Sequence, residues 1–138
     1  MIKIYIDENF AQQLAEGLNL FQKHLNRKEK HNFEVLSIRK EFGQGVKDEI
    51  WIPILGKEQD IVITQDISIQ TMRHQRDLYH KYGIGIFFFK PPSKGGFSFW
   101  EMVQQIIKRW DDIKQKIIKS KKPFAYRCTS KKGFELLD

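Results

Sequence analysis

Apolar residues recur along the chain at two different spacings, and these spacings predict an alternation of strands and helices. Short runs rich in β-branched and aromatic residues predict four strands. The first is Ile2–Ile6, and the others lie in the segments FEVLSI, DIVITQD and IGIFFF. Apolar residues three or four positions apart predict a first helix of about four turns. Its buried face should consist of Phe10, Leu14, Leu18, Phe21 and Leu25.

Three further helices are predicted downstream. The segment EFGQGVKDE should form a loop leading into a short second helix, with Pro53 confined to its first turn. A third helix is predicted over about residues 68–81 and ends at Gly83. The fourth begins with the capping-box pair Ser98 and Glu101. Its apolar positions are Phe99, Val103, Ile106, Trp110, Ile113 and Ile117.

The order of these elements predicts the fold class. The last segment, FAYRCTSKKGFELL, is predicted as a β-hairpin over about residues 124–137 that turns at Lys132 and Gly133. Strands that alternate with helices predict an α/β fold, here a three-layer α/β/α sandwich around a mainly parallel sheet. Residues 1–138 are expected to form a single domain. Its core should contain the phenylalanines at 87–89 and the three tryptophans, which are Trp51, Trp100 and Trp110.

Composition narrows the class of protein. The chain has 138 residues, of which 41% are hydrophobic and 30% charged, a balance typical of a globular domain. Cys128 is the single cysteine, so no internal disulfide can form, and the cytoplasm is the expected compartment. No apolar run approaches the length of a membrane span. The formal net charge of +7 favours a polyanionic partner, although basic helix faces also occur simply because they are solvated.

Acidic residues follow the predicted strands. Asp7 comes directly after the first strand, and Asp66 comes after the third. Asp48 and Glu49 lie where the Gly-rich loop enters the second helix. Because the carboxyl ends of parallel strands meet at one edge of a sheet, these three segments should converge there. Each acid alone could cap a helix, but capping explains three converging segments poorly.

The residue types in this cluster indicate a hard divalent cation. Carboxylate oxygens are the ligands that Mg²⁺ and Mn²⁺ prefer. The four histidines have no zinc-binding spacing, and no glycine loop of the phosphate-binding kind is present. A carboxylate-bound metal on a basic protein suggests phosphodiester chemistry, with lysines and arginines outside the acidic pocket holding phosphates. The candidates for such phosphate contacts are Arg73, Arg76 and Lys94.

The motifs IYIDEN, GVKDEIWI and VITQD, in this order, resemble the motif set of the PIN domain nucleases. The DEN start and the YR-T ending are most similar to the PIN-like toxins of bacterial toxin–antitoxin pairs. This resemblance implies an α/β/α sandwich and metal-dependent cleavage of single-stranded RNA. It also implies an antitoxin protein as a partner. A homodimer could form through the edge of the final hairpin.

The resemblance also implies which residues act. Asp7, Asp48 and Asp66 match the metal-binding acids, with Glu49 as the alternative to Asp48. Thr64 matches the hydroxyl residue that orients the acidic cluster. Many members carry a fourth acid two residues after the third, and the corresponding residue in this chain is Ser68. One metal ion is therefore better supported than two.

Two other functions fit parts of the same pattern. A receiver domain that accepts a phosphoryl group also places acids after its first and third strands, and Lys90 with Pro91 imitates its lysine–proline pair. The chain is expected to be one β–α unit short of that fold. The second alternative is a catalytically inert PIN-like module that binds RNA or a partner protein, which the missing fourth acid favours.

Overall fold

The computed structural model describes residues 1–7, 10–65 and 69–137, with the backbone alone at 69–72. This part of the chain contains six strands and five helices, which alternate except that α2 and α3 follow each other and so do β5 and β6. The strands are β1 (Ile2–Ile6), β2 (Phe33–Ser37), β3 (Ile61–Gln65), β4 (Gly85–Phe89), β5 (Phe124–Cys128) and β6 (Glu135–Leu137). The helices are α1 (Gln12–Asn26), α2 (Ile38–Phe42), α3 (Asp48–Glu58), α4 (Ile69–Tyr82) and α5 (Phe99–Lys119).

One sheet carries all six strands in the order β2-β1-β3-β4-β5-β6. The first five strands are parallel, and β6 is antiparallel to β5. The strand ends are in register, since Ile6 pairs with Ser37 and Gln65 with Phe89, which pairs in turn with Cys128. The predicted α/β class, mainly parallel sheet and C-terminal hairpin are confirmed. The carboxyl ends of the parallel strands form one edge, which positions the acids.

Helices cover the sheet on both faces, which confirms the three layers. On one face, α1 and α5 pack against alternate strand residues such as Ile4, Ile63 and Phe87. On the other face, α3 and α4 pack against the intervening residues, among them Val62 and Phe88. This alternation follows from the two-residue period of a strand. No helix in the described part of the chain is both long enough and apolar enough to cross a membrane.

The connection from β4 through α5 to β5 has the opposite hand to the other parallel connections. The step from β1 to β2 runs toward one edge of the sheet, and its helix α1 lies on the first face. The steps through α3 and α4 run toward the other edge on the second face, so they share its hand. The step through α5 also runs toward that other edge but lies on the first face. Since such crossovers are right-handed in about 98% of cases, the α5 connection is the left-handed one.

The core departs from the sequence prediction at Trp100. Trp51, Trp110 and the phenylalanines at 87–89 are buried as predicted. Trp100, however, is 70% exposed, because it lies in the first turn of α5 and projects away from the sheet, with its ring edge-to-face against Phe99. The prediction that Trp100 belongs to the core is wrong.

Helix α1 buries a polar residue where an aromatic one was predicted. Leu14 and Leu18 are buried, but Phe21 is 62% exposed. Gln22 is fully buried in its place. Its Oε1 accepts hydrogen bonds from Trp110 Nε1 at 2.9 Å and from Lys114 Nζ at 3.2 Å. These bonds to α5 satisfy the buried amide, so the helix turns Gln22 inward and Phe21 toward solvent.

Helix α3 accommodates Pro53 beyond its first turn, contrary to the prediction. The helix begins at Asp48, and Asp48 with Glu49 occupies the first turn, where the helix dipole favours negative charge. Pro53 has no backbone N–H, so the Glu49 carbonyl lacks its usual partner four residues on. The short helix α2 was not predicted. In α5 the capping box is confirmed, since Ser98 N donates to Glu101 Oε1 at 2.8 Å and Glu101 N donates to Ser98 Oγ at 3.3 Å.

Candidate functional site

Asp7 is held at the carboxyl edge of the sheet by β3. It directly follows β1, is 8% exposed, and its backbone N–H donates to Ile63 O at 2.9 Å. The hydroxyl of Thr64 donates to Asp7 Oδ2 at 2.6 Å in buried surroundings. A short hydrogen bond from a hydroxyl to a carboxylate is characteristic of a charged acceptor. The pair therefore fixes a buried carboxylate between the two central strands.

Asp48 is held by the neighbouring helix. It is half-buried at the start of α3, and its Oδ2 accepts a hydrogen bond of 3.3 Å from Gln75 Nε2 on α4. The packing of α3 against α4 thus sets the orientation of this carboxylate.

Tyr79 is a further buried polar residue on α4. It lies one turn after Gln75 on α4 and is 1% exposed. Burial raises the pKa of Tyr79 well above its usual value, and the negative charges of Asp7 and Asp48 raise it further. Within the described residues, neither the Tyr79 hydroxyl nor Gln75 Oε1 has a hydrogen-bond partner.

Glu49, the alternative to Asp48, faces a different neighbour. Its side chain is 55% exposed, and its Oε1 lies 2.9 Å from Nε2 of His74 on α4. A hydrogen bond from its own backbone N–H, followed by the bond to His74, lowers the pKa of Glu49. The geometry thus pairs Glu49 with His74 at the surface, whereas Asp48 pairs with Gln75.

Several predicted residues lie outside the described part of the chain. These are Asp66, Ser68 and the two residues after Asp7, Glu8 and Asn9. Within the described residues, no group of three His, Cys, Asp or Glu side chains is arranged to hold a metal ion. The described acids of the site are the two carboxylates Asp7 and Asp48, and in the sequence Asp66 follows the last residue of β3.

The predicted RNA-binding residues occupy two places. Arg73 is exposed and Arg76 half-buried on α4, and both line a groove between this helix and the β5–β6 hairpin. Lys94 is exposed in the loop after β4, at the same carboxyl edge as Asp7. Gln75 and Tyr79 were not identified from the sequence. They could have been identified from their spacing of four positions on a predicted helix, because this spacing places both side chains on one face of the helix.

The structure can be compared with the receiver domain that was the first alternative function. β5 pairs with β4 as a fifth parallel strand, but strand β6 and not a helix follows it in the described residues, so the chain has one β–α unit fewer than a receiver, as predicted. The order 2-1-3-4-5 of these strands is also that of receivers. Lys90 and Pro91, however, follow the fourth strand and not the last parallel one. The lysine–proline pair is therefore out of place for a receiver.

Comparison with known proteins assigns the family. Neither the curated proteins nor the solved structures yield a match to this chain. The family model described as PIN like domain matches residues 2–91, which is more than half of the chain and runs from β1 to just past β4. PIN-like domains are typically nucleases that use divalent metal ions and bind nucleic acid. The match, together with acids that follow parallel strands at one sheet edge, shows that the chain belongs to the PIN-like domain family.

Proposed function

We propose that this protein is a metal-dependent endoribonuclease that cleaves single-stranded RNA and acts as the toxin of a toxin–antitoxin pair. The observation that carries the proposal is the buried 2.6 Å hydrogen bond between Thr64 and Asp7 at the carboxyl edge of the sheet. A buried carboxylate that is held between two strands and oriented by a hydroxyl supports a role as a preorganised ligand.

The residues of the site suit a Mg²⁺ or Mn²⁺ ion. Asp7 and Asp48 supply hard oxygen donors, and Asp66 would add a third. The buried Tyr79 hydroxyl has no partner in the described part of the chain, so it could bond a water of the ion's hydration shell. When bound, such an ion activates water and neutralises charge on a phosphodiester. Thr64 would keep the Asp7 carboxylate oriented, and Gln75 would do the same for Asp48.

The partner and the compartment belong to the same proposal. An antitoxin protein would restrain the nuclease in the cytoplasm. A homodimer could form through β6, which is the edge strand of the sheet beyond β5 and exposes 65% of Leu136. The single domain over residues 1–138 would include this hairpin, which lies beyond the family match.

The substitution Asp7→Asn tests the metal site. Asparagine keeps the shape of the side chain and an oxygen that can accept the Thr64 hydrogen bond, but it removes the charge. We expect Mn²⁺-dependent cleavage of single-stranded RNA to be lost, and Mn²⁺ binding in calorimetry to weaken strongly. The metal-free variant should be as stable as wild type or more stable, because like charges near each other repel. Full cleavage activity in Asp7→Asn would contradict the proposal.

Asp60→Asn is the matched control. Asp60 is also a buried aspartate, 6% exposed, but it lies just before β3 at the opposite edge of the sheet. Burial raises the pKa of Asp60 to about 6, with Lys3 and Lys122 opposing the shift. A raised pKa means that the charged form destabilises the fold as the pH rises above 4 toward 6. Asp60→Asn should therefore retain nuclease activity and unfold at higher denaturant concentration at pH 7.

The inert alternative gives a different result in the same experiments. A module that only binds RNA would leave the RNA intact with Mn²⁺, in the wild type as in Asp7→Asn. The wild type would then bind the oligonucleotide without turnover.

A further inference from the structure

A groove of about 460 Å³ lies between α4 and the C-terminal hairpin. Its floor contains Ile86, Ala125 and Leu137, which are cross-strand neighbours in register on β4, β5 and β6. Leu137 is half-buried against the core on this face of the sheet. The volume falls within the range of roughly 300–1,000 Å³ that is usual for small-molecule sites.

The groove exists because of the left-handed connection through α5. A right-handed crossover would place α5 on the same face as α3 and α4, over β4 and β5. Because α5 lies with α1 instead, β5 and β6 extend beyond α4 with no helix of the described residues above them. The apolar floor is therefore open to solvent beside α4.

One stripe of α4 forms a basic wall. Arg73, Arg76 and His80 line the groove at positions i, i+3 and i+7, so they lie on one side of the helix. Asp77 lies on the same stripe, and its carboxylate can accept hydrogen bonds from amino groups. An apolar floor with a cationic wall suits a ligand that combines a flat ring and an anionic group.

Helix α4 borders both the groove and the acidic site. Arg73, Arg76 and Tyr79 of this helix line the groove, and Gln75 of the same helix donates a hydrogen bond to Asp48.

We propose that this groove binds one nucleotide of single-stranded RNA next to the scissile phosphate, with its base on Ile86, Ala125 and Leu137 and its phosphate at Arg73 and Arg76. This proposal rests on the nuclease function proposed above. It gives the hairpin a role in choosing the substrate, although residues 124–137 lie outside the family match. The base is the part of RNA that differs between sequences, so the groove is a site of specificity.

The test measures binding without cleavage. A fluorescein-labelled single-stranded oligoribonucleotide is titrated with the full chain in EDTA, and anisotropy is recorded. Arg73→Gln and Leu137→Ala should each weaken binding about five- to tenfold, as the loss of one stacking or phosphate contact does. Two matched controls lie outside the groove. Arg27→Gln changes an exposed arginine just after α1, and Leu36→Ala changes a half-buried leucine on β2, the opposite edge strand.

The outcomes separate the groove from the nuclease. Groove variants that bind RNA like their controls would overturn the groove, even if Mn²⁺-dependent cleavage by the wild type is normal. If the groove variants weaken binding but the wild type shows no metal-dependent cleavage, the nuclease proposal would be overturned. The proposed position of the groove next to a scissile phosphate would then be overturned as well. Displacement of the RNA by poly-glutamate at lower concentration than by unlabelled RNA would indicate an acidic protein as the occupant and would also overturn the proposal. Crosslinks from 4-thiouridine RNA should map to α4 and the hairpin.

Discussion

At the scale of single residues, the site combines satisfied and unsatisfied polar groups. Asp7 is bonded by Thr64 and Asp48 by Gln75. The hydroxyl of Tyr79, one turn after Gln75 on α4, is buried with no partner in the described residues. A buried polar group without a partner destabilises the folded state, so its presence at an acidic site is better explained by binding than by folding.

Tyr79→Phe should therefore leave the metal-free fold intact. The substitution removes only the hydroxyl, and we expect the free energy of unfolding to stay equal or to rise by about 1 kcal/mol. Mn²⁺ affinity measured by calorimetry should fall, because the phenol would no longer bond to the hydrated ion. Tyr82→Phe, one turn later on α4, is the control and should change neither quantity. A loss of stability above about 2 kcal/mol would show that the hydroxyl already has a partner.

At the scale of elements, a polar network joins α1 to α5. Lys114 is 4% exposed and donates to Glu29 Oε1 and Oε2 at 2.8 and 2.9 Å, and to Gln22. Asn26 extends the network to β2 through two hydrogen bonds with the backbone of Phe33. These contacts orient α5 over the sheet, and the orientation of α5 leaves the groove on the other face open.

Glu29→Gln should destabilise the fold in a pH-dependent way. The hydrogen bond from Lys114 lowers the pKa of Glu29 below its usual value of 4.5. The stabilisation is therefore fully present above about pH 4.5 and is lost as the pH falls through the folded pKa. At pH 7 we expect a loss of about 1–2 kcal/mol, at the low end for a charged hydrogen bond because a third of the Glu29 side chain is exposed.

Urea denaturation at pH 7 and pH 3 measures this difference. Glu16→Gln is the control on α1, since Glu16 is 47% exposed and its ion pair with Lys40 is 3.9 Å long. An equal effect of the two substitutions would show that the buried network contributes nothing specific.

At the scale of the whole molecule, charge and topology act together. Under the proposed function, the net charge of +7 would attract RNA from a distance, and the acids at the sheet edge together with the groove would determine where it binds. The predicted phosphate contacts are Arg73, Arg76 and Lys94. Each contact releases counterions, so binding should weaken as salt rises.

We expect the affinity of the metal-free protein for single-stranded RNA to fall roughly tenfold to twentyfold between about 50 and 200 mM salt, the change for about three phosphate contacts. Anisotropy titrations at several salt concentrations give the slope. Arg73→Gln should reduce the slope by about 0.7, whereas Arg27→Gln should leave it unchanged. A slope near zero in the wild type would contradict the assignment of phosphate contacts.

Most helices and strands, and the order in which they occur, could be predicted from the sequence alone. The capping box at Ser98, the glycine at 83 and the two periodicities act within a few residues, so they can be identified along the chain. The positions of Asp7 and Asp48 at the sheet edge also followed, because strand ends are local features and parallel strands share one edge.

Which side chains contact each other depends on tertiary packing and could not be predicted from the sequence. Asp7 and Thr64 are 57 positions apart, and Lys114 and Gln22 are 92 apart, so no local spacing could indicate these bonds. Such contacts turned Gln22 inward in place of Phe21. The face on which α5 packs is another tertiary result, since helix periodicity gives an apolar side but not the layer that it joins. Because α5 packs on the face of α1, the groove beside α4 stays open. Which apolar surfaces are covered depends on how whole helices pack together and not on any one segment.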